Sequence, residues 1–369
     1  MSYLSDFYPE EAGWEIQGYN ENSLSWDEFS LLYHPDLKTY CFDVDPRGRK
    51  KELLDAAWDA GILQSPEDTT VKDWLEEKKR KITAPLALAC DTNLVLRGYI
   101  RNLVSSTQTS GYFSEMVLVL LTRTIMNEFH SMTFSKFAGG RWKRFRTEFT
   151  REMRDDSSLA SVLLPGVGGR DYNSKLTSIH TERGRRGLKG QLEINNLYKE
   201  LQNKVLLVKP SHMIRAPIPS AILDMEGING GEQVRDALEE IILRISRQGL
   251  NDLMDSIIRE EIDFFRTQTN AQVLFLTMDK QQDNSSDLEQ LDHLLVKRPT
   301  VNWSAIPKGA INQRKLTSLL VSLLWKYPVL KIIKNQECRY FALSWLGRDP
   351  QNYTLMSYED ERKGQELMI

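Results

Sequence analysis

Cysteine is scarce in this chain of 369 residues: Cys41, Cys90 and Cys338 are widely scattered, and none shares a CxxC spacing with another. That pattern argues against a disulfide framework or a zinc site and for a reducing compartment. Long hydrophobic runs are missing as well, and no stretch approaches the roughly 20 apolar residues that cross a bilayer. The first residues, MSYLSDFYPEE, are acidic and lack an apolar signal-peptide core, so a cytoplasmic protein with no membrane partner is expected. Histidine is sparse too. His34, His130, His180, His212 and His293 form no ligand spacing, and no convincing Cys/His or Ser/His pairing offers a side-chain nucleophile. Glycine and proline show no excess, and there is no internal repeat or low-complexity tract.

What is present is an ordinary globular composition, 41% hydrophobic and 27% charged, enough to form a core without covalent or metal staples. The length suits two or three domains at about 150 residues each. Net charge is only −3, yet its distribution is uneven. Between Phe129 and Pro210 there are 16 Lys and Arg against 8 Asp and Glu, and such a segregated basic segment points to an anionic partner.

Three regions are expected. Residues 1–83 read as a small α+β module, with LKTYCFDVDP as a strand and RGRKKELLDAAWDAGIL and TTVKDWLEEKKRKI as helices. In residues 84–300, the nearly unbroken apolar runs LALACDTNLVL, EMVLVLLT and QVLFLTMDK read as strands buried on both faces. They alternate with the helical patterns RTIMNEFHSM, GEQVRDALEEIILRISRQGL and LNDLMDSIIREEIDFFRTQ, which implies an α/β domain with a mostly parallel sheet. The basic segment forms an insertion in it, at about 131–215, and residues 155–175 are its most loop-like part. Residues 301–369 form a C-terminal extension, with the helix QRKLTSLLVSLLWKY and the aromatic stretch CRYFALSW, whose Tyr340, Phe341 and Trp345 pack as core.

Acidic residues stand at the ends of these strands. Asp91 follows the first apolar run, Glu128 lies in the first turns of the helix after the second, and Asp279 closes the third. In a parallel α/β sheet ligands collect beyond the carboxyl ends of the strands. Asp255, on the helix leading into the third strand, joins from the side, and Asp252, three residues earlier, faces roughly the same way. Clustered carboxylates repel one another unless a cation lies between them, and oxygen donors of this kind suit Mg²⁺ or Mn²⁺.

Taken in order, LACDTNLVL, LTRTIMNEFH, MDSIIREEI and VLFLTMDK resemble the motifs of the PIN-domain nucleases. The resemblance implies a three-layer α/β/α fold and a quartet of Asp91, Glu128, Asp255 and Asp279, with Asn93 and Thr277 as ordering polar neighbours. Asp252 is an alternative or additional ligand to Asp255, and ILDMEGI repeats the glutamate motif through Asp224 or Glu226. The Asp91–Glu128 interval of 37 residues and the Asp255–Asp279 interval of 24 suit a compact member; the 127 residues between Glu128 and Asp255 require the insertion. The implied activity is metal-dependent hydrolysis of a phosphodiester, most simply as an endoribonuclease using Mg²⁺ or Mn²⁺. Two alternatives stay open: a flap- or structure-specific DNA endonuclease, and a catalytically inactive RNA-binding or scaffold protein.

The insertion supplies two basic clusters. Lys136, Arg141, Lys143, Arg144, Arg146, Arg151 and Arg154 alternate with Phe137, Trp142 and Phe145; Arg183, Arg185, Arg186 and Lys189 follow. Cations give phosphate affinity and aromatic rings stack on unpaired bases, so single-stranded or structured RNA is the expected partner, with a homodimer as an option. Two motifs are set aside. YCFDVDPRG imitates a phosphatase DxD without the downstream lysine, and PGVGGRD lacks both the strand before and the Lys-Ser/Thr after that a phosphate loop needs.

Overall fold

The computed structural model describes residues 14–20, 23–34, 39–43, 50–80, 84–106, 111–112, 117–133, 182–208, 247–280, 282–283, 291–299, 313–334, 337–345, 353–359 and 364–367. In chain order the first elements are β1 (Trp14–Asn20), β2 (Ser25–His34), β3 (Thr39–Asp43), α1 (Lys50–Asp59) and α2 (Asp68–Arg80). Next come β4 (Leu86–Cys90), α3 (Thr92–Leu96), α4 (Tyr99–Ser105), β5 (Val117–Thr122), α5 (Arg123–Thr133), α6 (Glu182–Leu201) and β6 (Val205–Val208). The last are α7 (Arg247–Thr269), β7 (Gln272–Thr277), β8 (His293–Leu295), α8 (Gln313–Leu324), β9 (Leu330–Lys334), β10 (Glu337–Trp345), β11 (Tyr353–Glu359) and β12 (Gly364–Leu367). Two compact units result: Met1–Gln64 with Met132–Leu192 and Arg298–Ile369, and Ser65–Ser131 with Glu193–Lys297.

The first unit carries an antiparallel sheet in the order β12-β11-β10-β9-β1-β2-β3. Its two halves come from opposite ends of the chain. β1 pairs with β9, setting Glu15 against Ile333 and Gly18 against Leu330. The sequence-based boundaries near 83 and 300 therefore separate strands that belong to one sheet, because antiparallel pairing is indifferent to the length of chain in between. Gly18 is required at the junction: a Cβ there would lie 2.7 Å from Cγ of the Tyr327 ring. That ring also packs on Phe29, at 5.8 Å between centroids, and its hydroxyl donates to Asp27 at 3.1 Å. α1 and α8 pack together, burying Leu53, Ala56, Ala57 and Trp58 on one and Leu319, Leu320 and Leu323 on the other. Tyr340 and Phe341 are core residues, as expected; the Trp345 side chain lies outside the described residues.

The second unit is mixed α/β, built on a five-stranded parallel sheet. Every side chain from Leu86 to Cys90 is buried, so β4 is covered on both faces, as its unbroken apolar run requires. The run does not stay extended after DTN. Asp91 has β-region φ and ψ of −70° and 168°, and its side chain accepts from Leu94 N, so it caps α3 and turns NLVL into a helix. The sheet order is β6-β5-β4-β7-β8. From β4 the chain winds outward through β5 and β6, then returns to lay β7 on the other side of β4. The direction of winding reverses between β4 and β7, and beyond the carboxyl ends of that pair lies the crevice where open parallel sheets place ligands. β6 falls inside the stretch assigned to the basic insertion, where its four residues, VLLV, are too short for periodicity to separate from a buried helix turn. Among the described residues, no helix is long and apolar enough to cross a membrane.

Candidate acidic site at the carboxyl edge of the parallel sheet

Asp91 leaves β4 at the switch point and is 1% exposed. Three donors hold its carboxylate. Leu94 N bonds Oδ1 at 2.8 Å, while Thr277 Oγ1 and Met278 N bond Oδ2 at 2.7 and 2.8 Å. Burial pushes the Asp91 carboxyl above the usual range; these bonds pull it back and the Asp279 charge raises it again. The capping role and the acidic-site role thus fall on one side chain.

Threonines join Asp91 to two of the other acids. Thr277 ends β7, the strand parallel to β4, and its hydroxyl both donates to Asp91 and accepts from Asp279 N at 2.9 Å. Asp279 therefore starts its loop from a group already bound to Asp91. On the other side, Thr92 Oγ1 donates to Glu128 Oε2 at 2.5 Å, within the range of a hydroxyl bonding a carboxylate. Glu128 stands in the second turn of α5, whose start is capped by Thr122 Oγ1 accepting from Ile125 N at 3.3 Å.

α7 supplies the remaining acid. Asp255 is partly buried, and its carboxyl is pushed up to about 7, first by desolvation and then by the charges of Asp279, Glu128 and Asp91. Arg259, one turn further along α7, opposes this shift. Within the second unit, Asp255 thus feels the charges of the other three acids. The same helix also fastens α5: Glu261, 2% exposed, accepts from Thr124 N at 3.2 Å, putting a carboxylate at the N-terminus of the helix that carries Glu128.

In donor chemistry the set is of the kind that suits a hard divalent cation. All of its members are carboxylates, and while burial contributes most to the rise at Asp255, the part that comes from mutual repulsion is what a bound cation would relieve. As placed, no three His, Cys, Asp or Glu side chains among the described residues stand close enough together to hold an ion.

Other sequence expectations fare differently. Asn93 is exposed, and its neighbour Thr92, which sequence reasoning passed over, is the residue that grips a carboxylate. The threonine in DTN was a signal in plain view; what hid it was the strand assignment, which gave no reason to point it at Glu128. Asp252 lies on α7 with its side chain outside the described residues, as is that of His130, and Asp224 and Glu226 are outside them altogether. So are Lys136, Arg141, Lys143, Arg144, Arg146, Arg151 and Arg154. Arg183 and Arg186 are exposed on α6.

Arg185 and Lys189 are corrected by the structure, since neither is available to a phosphate. Arg185 is 1% exposed and donates to the carbonyls of Trp325 and Lys326, at 3.3 and 2.8 Å, just past the C-terminus of α8. Helix-end carbonyls and the negative end of the helix dipole explain why a cation is buried there. Lys189 is 5% exposed and forms an ion pair with Asp59 at the end of α1. Helical spacing turns both inward while Arg183 and Arg186 stay outside.

Compared with protein-family models, with curated proteins and with solved structures, the chain matches none.

Proposed function

We propose that the second unit is a PIN-like, metal-dependent nuclease domain and that the protein is an endoribonuclease acting in the cytoplasm. The observation that carries this reading is the Thr277 bridge, which ties Asp91 and Asp279 together at the switch point of a parallel sheet. Asp91, Glu128, Asp255 and Asp279 would hold Mg²⁺ or Mn²⁺, which when bound supplies an activated water and shields the phosphate. The chain's own contribution is placement. Backbone amides and Thr277 fix Asp91, Thr92 holds Glu128, and Glu261 secures the helix beneath it. RNA rather than a small phosphodiester is favoured by the basic segment, in which Arg183 and Arg186 are exposed.

One observation favours the non-catalytic alternative. Both Asp91 oxygens accept hydrogen bonds within the domain, so capping and strand-end bonding give this carboxylate a structural duty that needs no ion. Labelled single-stranded RNA, stem-loop RNA and flapped DNA, each incubated with Mn²⁺, separate the readings. Cleavage of RNA that disappears in Asp91→Asn while the thermal melt persists supports the endoribonuclease. Cleavage confined to the flap moves the assignment to DNA. RNA retention with every substrate intact leaves a scaffold.

A further inference from the structure

We propose that Thr92 is a positioning residue of the acidic site: its hydroxyl sets the carboxylate of Glu128 relative to Asp91 and thereby the affinity of the site for a divalent cation. The functional consequence rests on the nuclease reading above; the positioning itself rests on the contact between the two residues.

Thr92 is the first residue of α3 and Asp91 is the cap of that helix, so the donor is adjacent in the chain to the most firmly held acid of the site. Leu94 N, Met278 N and Thr277 Oγ1 restrain Asp91, and that restraint passes to Thr92 through one peptide bond. Glu128 has three side-chain torsions and comes from a different helix; left to itself its carboxylate would sample several rotamers. The hydroxyl of Thr92 restricts that freedom. Its 2.5 Å bond to Oε2 spans 36 residues of sequence, and Thr92 itself is only 8% exposed, so water competes poorly for the donor.

A threonine inside a helix commonly bonds the carbonyl one turn back. At the first position of α3 the helix has no such carbonyl, and the hydroxyl is directed across to α5. The side chain is also β-branched, which limits its χ1 choices and holds the donor in one direction. Asn93, the neighbour that the DTN pattern suggested for this task, is exposed. Ligand-orienting partners of this kind set metal affinity without touching the ion, and their loss typically weakens it about 10–100-fold.

Thr92→Val keeps the shape and deletes the donor, Thr92→Ser keeps the donor, and Thr92→Ala deletes it without any demand on packing. Each full-length variant would be titrated with Mn²⁺ in two ways: by thermal shift with no nucleic acid present, and by the Mn²⁺ concentration giving half-maximal RNA cleavage. Both midpoints should rise about tenfold or more in Thr92→Val and Thr92→Ala, with cleavage at saturating Mn²⁺ largely restored. Thr92→Ser should titrate as the wild type. A hydroxyl serving packing alone would lower the melting temperature and leave both midpoints in place, which overturns the proposal. If the wild type itself shows neither a Mn²⁺ shift nor cleavage, the nuclease reading fails and the metal role of Thr92 falls with it. A wild type that responds while Thr92→Val and Thr92→Ala match it defeats the Thr92 proposal alone.

Discussion

Thr277 donates a 2.7 Å hydrogen bond to Asp91 across 186 residues of sequence, and both side chains are buried, at 0% and 1% exposure. The bond locks the ends of two parallel strands together, and the same hydroxyl receives Asp279 N. Thr277→Val, nearly the same shape, should leave a buried carboxylate short of a donor and an amide short of an acceptor. The expected loss is about 1–3 kcal/mol. Urea unfolding would show a lower midpoint with an unchanged slope.

Asp255 gives the site a pH signature. Its carboxyl sits near 7 in the folded protein against an ordinary 3.8, so between those values the folded state keeps a proton that the unfolded chain has lost. Stability from this group is fully present below about pH 3.8 and is lost as pH rises through about 7. Asp255→Asn, which cannot ionise, should therefore stabilise the protein at pH 8 in EDTA, and the gain should vanish towards pH 4. Because the carboxyl is partly exposed and screened, about 1–2 kcal/mol is expected. Unfolding curves at the two pH values check the sign. Under the metal reading, Mg²⁺ at pH 8 should narrow the gap by stabilising the wild type alone.

The cations of α6 should divide by burial. Lys189→Met would take the cation out of its buried ion pair with Asp59, at an expected cost of about 3–5 kcal/mol, visible as a lower unfolding midpoint. A double charge reversal, Arg183→Glu with Arg186→Glu, alters exposed positions and should change stability little. If RNA is the partner, it should weaken binding and flatten the dependence of log K on log salt. Filter binding at several salt concentrations measures the slope.

Gly18→Ala probes the sheet of the first unit. The added methyl would meet the Tyr327 ring at 2.7–2.9 Å, against a core also held by Phe29. Overpacking at about 1–3 kcal/mol is expected. Gly18→Ala combined with Tyr327→Leu should recover part of the loss, and chemical denaturation of the single and double variants measures the coupling.

Local pattern made much of the architecture legible. The runs LALAC, VLVLLT and QVLFLT are parallel strands, and RTIMNEFHSMT and the segment around MDSIIREEIDFF are helices, because each is long or apolar enough for its period to show. Asp91 and Asp279 were readable as strand-end acids for the same reason. NLVL was not readable as a helix. Its four apolar residues fit a continuing strand until the carboxylate before them is seen bonding Leu94 N. β8, three residues long, carries no period at all.

The sequence by itself determined that the long apolar runs of the parallel sheet become strands, that the most strongly periodic segments become helices and that acidic residues stand at the ends of those buried strands, since these features depend on neighbours a few residues away. Tertiary structure alone decided that β1 pairs with β9, that Arg185 and Lys189 turn inward while Arg183 and Arg186 face water, and that Thr92 rather than Asn93 reaches Glu128. Each of these is a choice between chemically similar candidates. It is settled by which carbonyl, carboxylate or strand edge a distant part of the chain brings alongside, and no local period encodes that.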